Sequence, residues 1–193
     1  MIASQDRSGW FGASDAGRIM GNWATPTFAR WWLEKLGMVR NTWTTRAMQA
    51  GRHYKHRILD ALNVKNRDRQ IRLPRLRLRV NLDGELPDTI CEVKTYGAEK
   101  AYKPSRAHVW QCNIQMFAAG KWCRIDAYRM EQEDYRNYYR PIDYTRLSSH
   151  PVAYDPRWVD REFLPRLEYL AWCLERRATP DAGRFVAPKR QGA

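Results

Sequence analysis

The sequence predicts an α/β domain, a small mixed sheet flanked by helices, and three observations carry that expectation. Residues from about 45 to 63 repeat their apolar side chains at spacings of three and four. Stretches around residues 76–83, 90–95 and 122–128 alternate with period two, and further helical patterns separate and follow them. At 193 residues the chain can bury one sizeable core. A single domain over residues 1–180 is expected, followed by a basic, flexible tail over 181–193.

Taken in order, the first elements are two short helices between residues 14 and 37. SDAGRIMG opens at a capping Ser14 or Asp15, and TPTFARWWLEKLG opens on Thr-Pro and closes at Gly37. The third helix runs from about Thr45 to Asn63, with Gly51, Tyr54, Ile58 and Leu62 among its inward positions. In LPRLRLRVNLDG, Leu76, Leu78, Val80 and Leu82 point one way and Arg77, Arg79, Asn81 and Asp83 the other, which is the pattern of a strand. The turn residues Asp83-Gly84 and Pro87-Asp88 lead into ELPDTICEVKTYG, the expected partner strand of a hairpin. A helix from about Ser105 to Ala119 ends at Gly120, and KWCRIDAYRM is the next strand. Residues 131–154 read as irregular and tyrosine-rich, and a last helix capped near Asp155 is bent or divided by Pro165.

Composition narrows the function. The 34 Lys and Arg against 21 Asp and Glu leave a net charge of +13, which points to a polyanionic partner, with nucleic acid the first expectation. Four scattered cysteines form no C-x-x-C pair, which argues against a structural zinc or iron–sulfur site and for reduced, buried thiols. The sequence carries no signal-peptide pattern and no apolar run long enough for a membrane span, so a cytoplasmic protein with no membrane association is expected. The nine tryptophans, Trp31, Trp32, Trp43 and Trp110 among them, fall mostly within amphipathic patterns and read chiefly as core, with base stacking as the alternative. Arg72, Arg75, Arg77 and Arg79 fit either a phosphate-tracking row or the polar face of a strand.

The chemistry concentrates in Asp83 and Glu92-Val93-Lys94. Period two sends Glu92 and Lys94 to one face of their strand, and a hairpin bend can bring Asp83 beside them. Two carboxylates and an ammonium at one spot suit phosphodiester hydrolysis: the acids hold a hard cation that polarises the phosphate and activates water, and the lysine orients that water or neutralises developing charge. The alternative is a surface pair beside a plain turn.

Four stretches together resemble the PD-(D/E)XK nucleases, specifically the lambda-exonuclease-like, YqaJ-type viral recombinases. They are RSGWFGASDAG, AGRHYKHRILDAL, NLDGELPDTICEVKT and WQCNIQM, over roughly residues 7 to 130. The resemblance implies a restriction-endonuclease-like core and a Mg²⁺- or Mn²⁺-dependent 5′-to-3′ exonuclease acting on double-stranded DNA ends in phage or prophage recombination, inside a bacterial host cell. It implies Asp83, Glu92 and the Val93 backbone carbonyl as metal ligands, Lys94 as the catalytic lysine, Gln111 beside the site, and Arg7 and Ser14 on the 5′ phosphate. A single-strand annealing protein and a ring-forming homo-oligomer are the partners it implies.

One position departs from the family pattern. Lys55 stands where the first core helix of the family carries a glutamate, four residues after Gly51. At 100° per residue Lys55 lies on the inward stripe with Ile58 and Leu62, whereas His53, Arg57 and Asp60 point outward. A lysine there would pair with Asp83 or Glu92 and weaken metal binding, unless its long chain snorkels clear. The rival expectation is therefore a nuclease fold with weakened or lost catalysis, acting as a DNA-binding or anti-defence phage protein. His53 and His56 could in principle replace the missing ligand.

Overall fold

A computed structural model describes residues 7–40, 42, 44–99 and 101–185. Its centre is a five-stranded mixed sheet made of β1 (Asn66–Arg67), β4 (Gly84–Glu85), β5 (Thr89–Gly97), β6 (Trp122–Met130) and β7 (Leu147–Val152), in that spatial order. β5 and β6 run parallel with Glu92 opposite Ile125, and the remaining pairs are antiparallel. A separate antiparallel pair joins β2 (Gln70–Leu73) to β3 (Leu78–Asn81).

Helices cover both faces. On one, α3 (Arg46–Ala61) lays Ala50, Tyr54, Ile58 and Leu59 against Cys91, Val93 and Tyr128. On the other, α4 (Arg106–Ala119) packs with α1 (Ala16–Ile19), α2 (Pro26–Lys35) and α6 (Leu164–Glu175) around Ile90, Ile114 and Ile125. The period of β5 makes this division: Cys91 and Val93 face α3, while Glu92 and Lys94 reach side chains of α4. Gly84 is required where α3 crosses β4, because a Cβ there would lie 2.7 Å from Leu59 and 2.8 Å from Val64.

Most helix boundaries fall where capping chemistry puts them. Thr25, Thr45 and Ser105 accept hydrogen bonds from Phe28, Met48 and His108 N–H, and Gly120 closes α4 at φ 66°. The 3-10 turn Ala13–Asp15 leads into α1, and Asp15, rather than Ser14, accepts the Gly12 N–H. The last helical stretch is divided as expected: α5 (Pro156–Trp158) and a π-helical turn (Val159–Phe163) precede α6, where Pro165 has no N–H to continue the regular ladder.

Three expectations are corrected. β3 pairs with β2 instead of forming a long hairpin with β5; only Gly84–Glu85 pair with β5, because Leu76 and Arg77 are taken up in a 3-10 turn and a left-handed residue at φ 50°. The tyrosine-rich stretch holds β7, an edge strand in which Pro151 is tolerated because only one side is paired. Arg57 does not point to solvent: its guanidinium donates to the carbonyls of Tyr138 and Arg140, whereas His53 is exposed as expected, with its ring stacked 4.6 Å from Tyr138. In the expected tail the Phe185 ring lies 5.4 Å from Trp23 and 6.0 Å from Tyr169, while Asp181, Gly183 and Arg184 are exposed; residues 186–193 and Trp43 lie outside the described residues.

Candidate active site

Asp83 lies between β3 and β4, where the chain leaves one sheet for the other. Its Oδ2 accepts the Val93 N–H at 3.1 Å, which holds the acid against β5 beside Glu92. Burial and the charge of Glu92 push the Asp83 pKa up to about 7, against the lowering influence of Lys55 and the Val93 N–H.

Glu92 is buried at 3% exposure, and both its oxygens are engaged. Oε1 accepts Lys94 Nζ and Gln111 Nε2, each at 2.6 Å, and Oε2 accepts Gln115 Nε2 at 2.6 Å. Gln111 Oε1 in turn accepts Lys94 Nζ at 3.1 Å. Burial favours a neutral Lys94, but the Glu92 charge and hydrogen bond outweigh it and raise its pKa.

The amino-terminal segment completes the site. Phe11 bridges to Leu78 at the start of β3, with Phe11 N–H donating to the Arg77 carbonyl and Arg79 N–H to the Phe11 carbonyl. That pairing carries residues 12–14 to the rim of a cavity of about 210 Å³, which Arg7 and Ser14 line together with Asp83, Glu92 and Gln111. Arg7 Nη1 donates to Ser14 Oγ at 3.3 Å. Period two also survives in β3, for Arg79, Asn81 and Asp83 all face this cavity. The arginine row is otherwise dispersed: Arg77 pairs with Glu175 at 3.3 Å, and Arg72 lies 5.9 Å from the Trp10 ring.

Two groups that carry the site escaped sequence reasoning. The first is the buried pair of Asp15 and Lys35, 2.6 Å apart, which braces the Gly12–Ser14 turn: Asp15 also accepts Gly12 N–H and Trp31 Nε1, and Lys35 donates to the Trp10 carbonyl. The second is Asp68, which meets Lys55. Lys55 turns inward as its helix angle predicts, and Nζ lies 2.8 Å from Asp68 Oδ1 and 3.3 Å from Asp83 Oδ1. Burial works against the charge on Lys55, but Asp83 and Asp68 more than offset it and raise its pKa. His56 Nε2 is 3.4 Å from Asp68 Oδ2, so it joins this acid rather than Glu92. Gln115 had a legible signal, standing one helical turn after Gln111, and Asp15 had one as a cap but not as an ion-pair partner; Lys35 and Asp68 had none.

Asp83 and Glu92 are oxygen donors of the kind a hard divalent cation takes, yet their oxygens are already engaged, those of Asp83 by the Val93 N–H and Lys55 and those of Glu92 by Lys94, Gln111 and Gln115. Asp83 and Glu92 are close enough to raise the Asp83 pKa, a repulsion a cation relieves, and Val93 stands between Glu92 and Lys94 with its N–H on Asp83. Among the described residues no three Asp, Glu, His or Cys side chains form a group that could hold a metal ion.

No protein-family model matches the sequence, and no curated protein matches it either. Among solved structures the chain superposes on an alkaline exonuclease, LHK-Exo from Laribacter hongkongensis. The TM-score is 0.63 at 16% identity, over 89% of this chain and 90% of that one. The chain has the fold of that exonuclease. SSO0001 matches with a TM-score of 0.48 at 11% identity, over 95% of this chain and 83% of that one. The exonuclease fold accounts for the α/β core read from the sequence, and no described helix is long and apolar enough to cross a membrane.

Proposed function

We propose that this protein is a metal-dependent deoxyribonuclease that degrades double-stranded DNA from a phosphorylated 5′ end. One observation supports the reading: a single cavity joins Asp83, Glu92 and Gln111 to Arg7 and Ser14, so the residues proposed for phosphodiester chemistry and those proposed to grip a terminal phosphate share one space. The surplus of positive charge supports a DNA substrate.

In this reading Asp83, Glu92 and the Val93 carbonyl would hold Mg²⁺ or Mn²⁺, which when bound polarises the scissile phosphate and lowers the pKa of a water molecule. Glu92 is held in one orientation by Lys94, Gln111 and Gln115. Lys94, fixed by Glu92 and Gln111, presents a positive charge to the phosphate as negative charge develops on it. Gln111, which lines the cavity and bonds both Lys94 and Glu92, would position the water beside them. Arg7 offers its guanidinium and Ser14 its hydroxyl to the terminal phosphate.

A second reading rests on Lys55, whose ammonium 3.3 Å from Asp83 places positive charge next to a metal ligand. It is a weakened nuclease that binds DNA or inhibits another activity. Digestion of 5′-phosphorylated linear duplex with Mg²⁺ or Mn²⁺ separates the two, using the natural chain, Asp83→Ala and Lys55→Glu. Activity that Asp83→Ala abolishes supports the enzyme. Inactivity gained back by Lys55→Glu supports the weakened nuclease. Inactivity of all three, with tight salt-sensitive DNA binding, overturns the enzyme reading.

A further inference from the structure

The Lys55 ammonium is shared unequally, 2.8 Å from Asp68 and 3.3 Å from Asp83. We infer that Asp68 is a positioning residue that shares the Lys55 ammonium with Asp83 and so loosens its hold on the one Asp83 oxygen not committed to the Val93 N–H, the oxygen a divalent cation would need. The inference rests on the metal-dependent reading above and adds to it how this chain tolerates a lysine inside its own cation site.

Three observations carry it. Lys55 is half-buried on the inward stripe of α3, where Gly51, one turn earlier, approaches so closely that a Cβ would lie 3.2 Å from Thr95 Oγ1; the ammonium is thus delivered into the cavity and not into bulk water. Asp68 is held in place by its backbone, which adopts the left-handed conformation at φ 54° and donates its N–H to the Asp83 carbonyl at 3.3 Å. Aspartate tolerates that conformation better than most residues, yet it still costs free energy, which the surrounding contacts must offset. The second Asp68 oxygen faces His56 at 3.4 Å, so the carboxylate is oriented from both sides.

Asp83 has two acceptor oxygens, one committed to the Val93 N–H and the other facing Lys55. Without the Asp68 charge the ammonium has one carboxylate left within reach, and it settles on the oxygen a cation needs. A cation must then displace a charge-assisted hydrogen bond, a penalty of roughly tenfold in affinity.

The test is Mn²⁺ binding to the full chain without DNA, followed by isothermal titration calorimetry, with circular dichroism confirming that each variant is folded. Asp68→Asn is expected to weaken binding roughly tenfold, and Asp68→Glu to restore most of it. Removing the Asp68 charge also weakens binding through space, so the same change is made in a Lys55→Met background. There the loss is expected to be at least several-fold smaller, because no ammonium remains to move. Equal losses in both backgrounds, or unchanged affinity in Asp68→Asn, overturn the role of Asp68 while leaving the metal-dependent reading intact. Binding to Lys55→Met but not to the natural chain also overturns it, since Asp68 then fails to loosen the hold of Lys55 on Asp83. Absence of binding in every variant overturns the metal-dependent reading and the inference together.

Discussion

Lys35→Met is the sharpest test of how the fold supports the site. Lys35 and Asp15 are 3% and 5% exposed and 2.6 Å apart, so methionine fills a similar volume but leaves Asp15 charged and buried without its counter-ion. Breaking a buried pair from one side costs about 3–5 kcal/mol. For a chain of this size each kcal/mol lowers the melting temperature by about 2–4 °C, so a drop of about 6–20 °C is expected. The loss should be recovered in part by adding Asp15→Asn, because an asparagine still accepts a hydrogen bond from Gly12 N–H or Trp31 Nε1 without a bare charge. Because Lys35 also donates to the Trp10 carbonyl, affinity for 5′-phosphorylated duplex ends should fall as well. Differential scanning calorimetry of the two single variants and the double variant measures the coupling. A fall of under about 1 kcal/mol in Lys35→Met, with strictly additive single effects, would refute the argument that this pair braces the turn.

Asp83, with its pKa pushed up to about 7, binds a proton more tightly in the folded chain than in the unfolded one. Its contribution is therefore full below the ordinary carboxylate range and lost as pH rises to about 7, on the order of a few kcal/mol without divalent cation. The melting temperature of the natural chain relative to Asp83→Asn, in EDTA, should fall between pH 4 and 7; a flat difference would contradict the raised pKa. Gly84→Ala puts a methyl group 2.7 Å from Leu59, and should destabilise by about 1–3 kcal/mol in urea unfolding. Gln115→Leu leaves Glu92 Oε2 without its donor, which should lower stability by about 1–3 kcal/mol and slow DNA cleavage at saturating metal. Unchanged cleavage would show that Gln111 and Lys94 suffice to hold Glu92.

Much of this architecture was legible because it rests on local rules. The caps at Thr25, Thr45 and Ser105, the glycine stop at Gly120 and the period of α3 each depend on a few neighbouring residues. The same arithmetic sent Glu92 and Lys94 to one face and Lys55 inward. Strands β2 and β7 were not read from the sequence: QIRL alternates but is only four residues long, LSSHPV carries little apolar alternation, and β3 and β6 supply the partners that make them strands.

The sequence by itself determined which side chains share a face: Glu92 with Lys94, Arg79 with Asn81 and Asp83, and Lys55 with the buried stripe of α3. Tertiary structure decided what those faces meet. Asp15 finds Lys35 across 20 residues, Gln115 finds Glu92 across 23, and Lys55 finds Asp68 across 13, all outside the reach of helical or strand periodicity. Such pairs form where separate elements pack, because a charge removed from water must be matched by whatever group packing brings within hydrogen-bond distance. The twelve residues GRHYKHRILDAL therefore specify that a lysine points at the site, while Asp68, arriving between β1 and β2, shares that lysine with Asp83.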